Sequence, residues 1–361
     1  MNVGKKIRVL VVDDSAFNRR TITRMLSSHP QIEVVDTAYD GQHAIKKVRA
    51  LDPDVITLDL EMPRMDGFSF LRWLMQHHPK PVIVVSAHEG DRNVIRALEM
   101  GAFDFIPKPG GQISPKLVMI REELIAKVIA AYASKPQNLQ RTVHVHPVVP
   151  KPSSIEPVWV PRKLAQITVI GASTGGPQAI RFLLSRCYLP WTAILIAQHM
   201  PPGFTRLFAE RLAHVTHFRV KEAEHGETVH PGTVYIAPGG HHMEIFRHAR
   251  QVRIEVYPRE RRDRYAPSVD RLFMSAAAAF GPNVFGIILT GMGDDGLLGA
   301  RAVKERGGTI VVESEGSATV FGMPKAVIER GYADAAVSLE RIPDVWRQWL
   351  KRYGIPPQTL P

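Results

Sequence analysis

Cysteine is nearly absent: Cys187 stands alone in 361 residues. A single thiol excludes an intramolecular disulfide, and with no histidine nearby in sequence its expected role is core packing. Long apolar runs are missing too, so no segment is suited to span a bilayer. Met1-Asn-Val-Gly-Lys-Lys leads into a strand pattern rather than the apolar core of a secretory signal. These absences make the cytoplasm the expected compartment. Acidic charge is in deficit, with 35 Asp and Glu against 46 Lys and Arg, a formal net charge of +11. That surplus suits an anionic partner. DNA is the first to weigh, but the second half of the chain holds no recognisable helix-turn-helix. Acidic protein helices near an anionic membrane face suit the same charge. The doublets His77-His78 and His241-His242 lack a metal-site spacing and read as structural.

What is present begins with a regular alternation of short apolar runs and amphipathic segments through residues 1–130. The runs Ile7–Val12, Ile32–Val35, Val55–Leu58, Val82–Val85 and Phe103–Ile106 predict strands. Phe17–Leu26, Val94–Met100 and Pro115–Ala133 predict helices between and after them. Such units build a doubly wound parallel sheet, α/β in class, whose ligands bind at the C-terminal ends of the strands. Asp13 and Asp14 follow the first strand, Asp59 the third, Ser86 the fourth, and Lys108 the fifth, inside Pro107-Lys108-Pro109. Crowded carboxylates repel one another unless a hard cation joins them, and Mg²⁺ suits an all-oxygen site. A lysine and a hydroxyl opposite suit the oxygens of a phosphoryl group. Helix capping would explain Asp13 by itself, but not a lysine between two prolines.

Residues 131–163 carry Pro136, Pro147, Pro150, Pro152, Pro157 and Pro161 among polar residues and read as an extended linker. A second globular region, 164–355, is expected beyond it. There Ile167–Ile170 reads as a buried strand and Pro177 onward as a helix, with Gly171-Ala-Ser173-Thr-Gly175-Gly176 as the turn. A serine in that turn can present its hydroxyl at the sheet's rim, with backbone N–H groups and the helix dipole facing its target. A dinucleotide cradle is the rival reading. The spacing is not Gly-x-Gly-x-x-Gly, however, and the next strand, Ala193–Ala197, ends in Gln198-His199 rather than an acid. A third strand, Val284–Leu289, runs into Thr290-Gly-Met292-Gly-Asp294-Asp295-Gly296. Parallel strands bring their ends to one edge, which gathers serine, histidine and a carboxylate. That is the logic of acyl transfer, where histidine takes the serine's proton and the carboxylate orients the histidine. The chain order Ser–His–Asp departs from the Ser–Asp–His of ordinary α/β-hydrolases.

Val-Asp13-Asp14-Ser, Leu58-Asp59-Leu-Glu61-Met-Pro63-Arg-Met-Asp66-Gly67 and Pro107-Lys108-Pro109 resemble the receiver domain of bacterial response regulators. The resemblance implies a flavodoxin-like fold with Asp59 as phospho-acceptor. It further implies Mg²⁺ on Asp14, Asp59 and the Glu61 carbonyl with Asp13 in support, Ser86 and Phe105 as the switch, and Lys108 on the phosphoryl group. A receiver followed by Gly-Ala-Ser173-Thr-Gly-Gly, Ala-Gln198-His199-Met-Pro-Pro-Gly-Phe and Leu-Thr-Gly-Met292-Gly-x-Asp295-Gly is similar to the chemotaxis response-regulator protein-glutamate methylesterases. The likeness covers nearly the whole chain outside the linker. It implies a phosphorylation-activated hydrolase that removes glutamate γ-methyl esters from chemoreceptors as methanol and deamidates receptor glutamines. Its partners would be methyl-accepting receptors and a chemotaxis histidine kinase, with no nucleic acid, no membrane insertion and no cofactor for ester hydrolysis. A monomer is expected. The triad carries over as Ser173, His199 and Asp295, in preference to Asp294. Oxyanion donors are expected among backbone N–H groups near Thr174 or Met292. The family's Arg-Pro-Ser-Val-Asp reads Ala266-Pro267-Ser-Val-Asp270 here. The preceding Arg259, Arg261, Arg262 and Arg264 are expected to help hold an acidic receptor.

Overall fold

Strands that are apolar on both faces need cover on both faces, and helices supply it here. The computed structural model describes residues 5–86, 92–108, 115–134, 164–187, 189–249 and 251–352, so the linker prolines lie outside the described residues. The chain divides into two compact units, Met1–His144 and Val145–Pro361.

In the first unit, strands β1 (Ile7–Val12), β2 (Ile32–Ala38), β3 (Val55–Leu58), β4 (Val82–Ser86) and β5 (Asp104–Pro107) pair in the order β2-β1-β3-β4-β5. Every pairing is parallel. Helices α1 (Ala16–Ser27), α2 (Gly41–Leu51), α3 (Gly67–His77), α4 (Arg92–Glu99) and α5 (Pro115–Ala133) connect and follow them. Short polar residues start the helices: Ser15 caps α1, Asp40 caps α2 and Asp66 caps α3. Helix α5 ends at Ala133, as the apolar pattern of Pro115–Ala133 predicts, so residues 131–133, also counted with the linker, are helical; its last turn still buries Ala131. The chain reverses direction across the sheet between β1 and β3, so the residues ending these strands face a common crevice.

The second unit holds a seven-stranded sheet in which every pairing is parallel. Its strands are β6 (Ile167–Ala172), β7 (Ala193–Gln198), β8 (Arg219–Glu222), β9 (Thr233–Ile236), β12 (Val284–Ile288), β13 (Thr309–Glu313) and β14 (Ala335–Val337), in the order β14-β13-β12-β6-β7-β9-β8. An antiparallel hairpin, β10 (His241–His248) and β11 (Gln251–Pro258), stands apart from it. The helices are α6 (Gly176–Arg186), α7 (Phe204–Val215), α8 (Val269–Phe280), α9 (Leu297–Glu305), α10 (Met323–Glu329) and α11 (Ile342–Lys351). The central strands β6, β7 and β12 are buried at every position, as strands covered on both faces must be. Cys187 lies at the end of α6 and is buried; burial pushes its thiol up to about 12, consistent with packing. Among the described residues no helix is long and apolar enough to cross a membrane.

Glycine at 171, near the end of β6, permits one close approach between helix and sheet. A Cβ there would lie 2.2 Å from Val269 Cγ1. Without it, the first turn of α8 presses directly onto the edge of the sheet.

Candidate active site

The order of the sheet turns around β6, with β7 on one side and β12 on the other, so β6 delivers its last residues into the crevice between them. Ser173 comes next. Its amide donates to the Thr290 carbonyl at 3.1 Å, and its carbonyl accepts from Gly176 N at 2.8 Å and Gln198 Nε2 at 2.9 Å. The β6–β7 register pairs Ala172 with Gln198, so one residue further out Ser173 and His199 stand side by side. The His199 amide donates to the Ala172 carbonyl at 3.0 Å, fixing that level. From the other side a Cβ on Gly291 would come within 2.8 Å of Ser173 Cβ.

His199 Nε2 meets Asp295 Oδ2 at 2.8 Å, with the two side chains 13% and 3% exposed. Asp295 is held on every side. Oδ2 also accepts from Val269 N at 2.7 Å, while Oδ1 accepts from Ser268 Oγ at 3.1 Å and Asp270 N at 3.0 Å. Burial pushes the Asp295 carboxyl up, but His199 and the Asp270 and Val269 amides together outweigh it and hold the group below its usual range. Asp270 goes the other way: burial raises it and the Asp295 charge adds to the rise, although the Gly299 and Gly296 amides pull it down. Asp294 turns outward to Arg264 at 3.2 Å and is exposed. The structure therefore brings Asp295, and not Asp294, to His199.

Thr174 and Met292 lie on the two strand-end turns flanking Ser173; Thr174 is buried and its carbonyl accepts from Thr290 Oγ1 at 2.9 Å. Sequence reasoning missed the residues that hold Asp295. Ser268 is the N-cap of α8 and accepts from the Arg271 amide, so its Ser-Val-Asp stretch carried a helix-start signal that periodicity in the later helix would have exposed. It also missed Tyr265, whose ring stacks on His199 with centroids 4.5 Å apart and planes 7° from parallel.

The four arginines are exposed, but two already have partners. Arg259 donates to the Asp263 carbonyl at 2.9 Å, and Arg264 pairs with Asp294. Asp263 anchors this loop, accepting from the Glu260 amide, from His242 Nε2 at 2.8 Å and from Arg271 at 3.2 Å. The Glu260 amide and then His242 draw the Asp263 carboxyl down to about 2. His242 is thus a buried structural residue.

At the strand ends of the first unit, Asp13, Asp14 and Asp59 can each offer a carboxylate oxygen within 4.8 Å of the others. Asp13 and Asp59 are buried and Asp14 is exposed. Lys108 Nζ lies 2.6 Å from Asp59 Oδ2 and 3.5 Å from Asp13 Oδ2. Burial pushes the Asp59 carboxyl up to about 6, with Lys108 pulling down and the Asp13 charge adding to the rise. An excess of clustered carboxylate over ammonium, all oxygen donors, fits a hard divalent cation. Phe105 is buried on β5 under the Lys127 ammonium, 5.5 Å from its ring centre, and Lys127 also donates to the Phe105 carbonyl at 2.6 Å. Ser86 ends β4; its side chain lies outside the described residues.

Comparison with known proteins matches a CheB methylesterase family model to residues 168–345 and a response regulator receiver domain model to residues 9–115. Protein-glutamate methylesterase/protein-glutamine glutaminase 3 of Geobacter sulfurreducens is 41% identical, covering 97% of this chain and 98% of its own. The enzyme numbered 1 of that name from Myxococcus xanthus is 45% identical over 92% of this chain and 94% of its own. Its counterpart from Halalkalibacterium halodurans is 46% identical over 94% and 97%.

Glu313 lies at the end of β13, 1% exposed, beside Thr290, whose carbonyl holds the Ser173 amide. It accepts from the Thr290 amide at 2.9 Å and from Ser317 Oγ at 3.0 Å. Burial pushes its carboxyl up to about 7, despite those hydrogen bonds. A carboxyl raised on folding stabilises the protein fully below its unfolded value, near 4.5, and loses that contribution as pH climbs to about 7. Glu313→Gln should keep the bond from the Thr290 amide on its carbonyl oxygen, donate its NH2 to Ser317 Oγ in place of accepting from it, and abolish this dependence. In urea melts across that window, the wild type should lose stability relative to the variant by about 1.4 kcal/mol per pH unit. Parallel curves would show that Glu313 ionises normally.

Proposed function

The chain belongs to the CheB methylesterase family, and we propose that it hydrolyses glutamate γ-methyl esters on chemoreceptor helices and deamidates receptor glutamines under control of phosphorylation at Asp59. The observation that carries the hydrolytic reading is the 2.8 Å contact between His199 and the buried Asp295, at the strand ends beside Ser173. Ser173 Oγ attacks the ester carbonyl while its proton passes to the imidazole. With Nε2 on Asp295, Nδ1 is the nitrogen left to act as base, the reverse of the serine-protease template. Collapse of the tetrahedral intermediate breaks the bond to the methoxy oxygen, which leaves as methanol with the histidine's proton. Water then attacks the acyl-enzyme by the same route and frees the glutamate. A glutamine substrate loses ammonia in place of methanol. Amides of Thr174 and Met292 are the proposed oxyanion donors.

Asp13, Asp14, Asp59 and the Glu61 carbonyl would hold Mg²⁺, which offsets phosphoryl charge when bound. Lys108 would take a phosphoryl oxygen in exchange for Asp59. A rearrangement reaching Phe105 must loosen the Lys127 contacts over its ring. A histidine kinase acting on Asp59 and receptor signalling helices as substrate both support a cytoplasmic working site.

Methanol release from a methylated receptor tests the reading. Ser173→Ala, His199→Ala and Asp295→Ala should each lower turnover on the order of 10⁴-fold or more, with Asp294→Asn mild. Near-normal hydrolysis by Ser173→Ala would remove the serine from the mechanism.

Phosphorylation has its own test. Asp59→Asn should lose both radiolabelling by a small phosphodonor and the accompanying activation, while keeping a basal rate. Label that stays in the variant would move the acceptor elsewhere.

The arginine loop is proposed to steer the acidic receptor. Replacing Arg259, Arg261, Arg262 and Arg264 with serine should slow receptor demethylation at low salt and flatten its salt dependence. Steering between exposed charges fades once the Debye length reaches about 10 Å, near ~0.1 M salt. An unchanged salt profile would reduce the loop to internal pairing with Asp263 and Asp294.

A further inference from the structure

Tyr265 takes no part in the hydrolytic chemistry, yet it touches the base. Its ring lies parallel to the His199 imidazole, 4.5 Å between centroids and 7° between planes. The Arg264 guanidinium sits 5.0 Å from the centre of the same ring. The phenol end is fixed as well: a Cβ on Gly293, which has φ +88°, would lie 2.4 Å from the Tyr265 hydroxyl oxygen. Glycine at 293 is therefore what admits the ring to this position, on the turn between Met292 and Asp294.

An imidazole bonded to a carboxylate through one nitrogen remains free to rock about that bond. Rocking would carry Nδ1 off line with Ser173. A flat ring against its face removes that freedom, and the face of a phenol also attracts the imidazolium formed during proton transfer. We propose that Tyr265 is a positioning residue for His199, holding the imidazole plane so that Nδ1 meets Ser173 while Nε2 stays on Asp295. The proposal rests on the triad reading of Ser173, His199 and Asp295. It assigns the work to the ring's face and none to its hydroxyl.

The test uses the full-length protein, activated by a small phosphodonor, with methylated receptor as substrate. Tyr265→Phe should keep kcat within about twofold of wild type. Tyr265→Leu should lower kcat on the order of tenfold, the size of a lost stacking and cation–π contact, and leave KM nearly unchanged. The His199 ring proton bonded to Asp295 should give a sharp downfield NMR signal in the wild type and Tyr265→Phe, broadened in Tyr265→Leu. If leucine lowers the melting temperature, Tyr265→Met fills the volume without a planar face and serves in its place. Wild-type kcat in a folded Tyr265→Leu or Tyr265→Met protein would overturn the proposal. So would an equal loss in Tyr265→Phe, which would make the hydroxyl responsible. Ser173→Ala, assayed alongside, separates the two levels: if it stays active the triad reading itself has failed, whatever Tyr265 does.

Discussion

Asp295 accepts the first amides of α8, and Asp270, in the first turn of α8, accepts the Gly296 and Gly299 amides at the start of α9. Each helix start is capped by a carboxylate from the other's neighbourhood, and this exchange is what the catalytic geometry depends on. Burial pushes the Asp295 carboxyl up, but His199 and then the unpaired amides at the positive end of α8 stabilise the anion and hold it below its usual range. An ionised Asp295 orients His199. The same exchange clamps α8 to α9 and sets Val269 against Gly171, so Asp295, the sheet edge and the Ser173 turn share one set of contacts. The two carboxyls respond to their closeness asymmetrically: Asp295 is held down, and Asp270 is raised by burial and its neighbour.

The receiver unit solves a related problem differently. Asp13 and Asp59 are buried together with Lys108 as their shared cation, and Asp59 is left with a raised carboxyl. Single amides reach in, from Ser15 to Asp13 and from Glu61 to Asp59, but they do not offset the burial. Most of the balancing charge comes from a side chain that can move, which suits the metal ion and phosphoryl group proposed for this site. In the catalytic unit the charges are held by amides that cannot leave. One site is arranged to change state and the other to stay fixed.

Much of this was legible in the chain. Buried parallel strands announce themselves as continuous apolar runs, and Ile7–Val12 and Ala193–Gln198 are largely of that kind. Ser173, His199 and the Asp294-Asp295 pair were visible because each closely follows such a run. The hairpin β10–β11 was not seen, since its residues alternate and are broken by charged positions. The capping role of Ser268 and Asp270 was missed because their partner lies 25 to 27 residues away in sequence, a separation at which no local pattern links them. Tyr265 gave no signal either: an aromatic residue in an arginine-rich loop reads as exposed.

The sequence by itself determined the strands of the first sheet, the central strands of the second, the edge of each at which they end, and the types of side chain placed there. Local propensity and apolar period decide those things, and both are written in neighbouring residues. The family motif pointed to Asp295 over Asp294; only the tertiary structure gave the reason, which imidazole nitrogen the carboxylate occupies, and what lies against the ring. Asp294 and Asp295 differ by one position along the chain but end on opposite sides of a turn, one toward solvent and Arg264, the other toward the amides of α8. That choice depends on the packing of α8 against β6 and α9, across separations for which a linear pattern carries no signal.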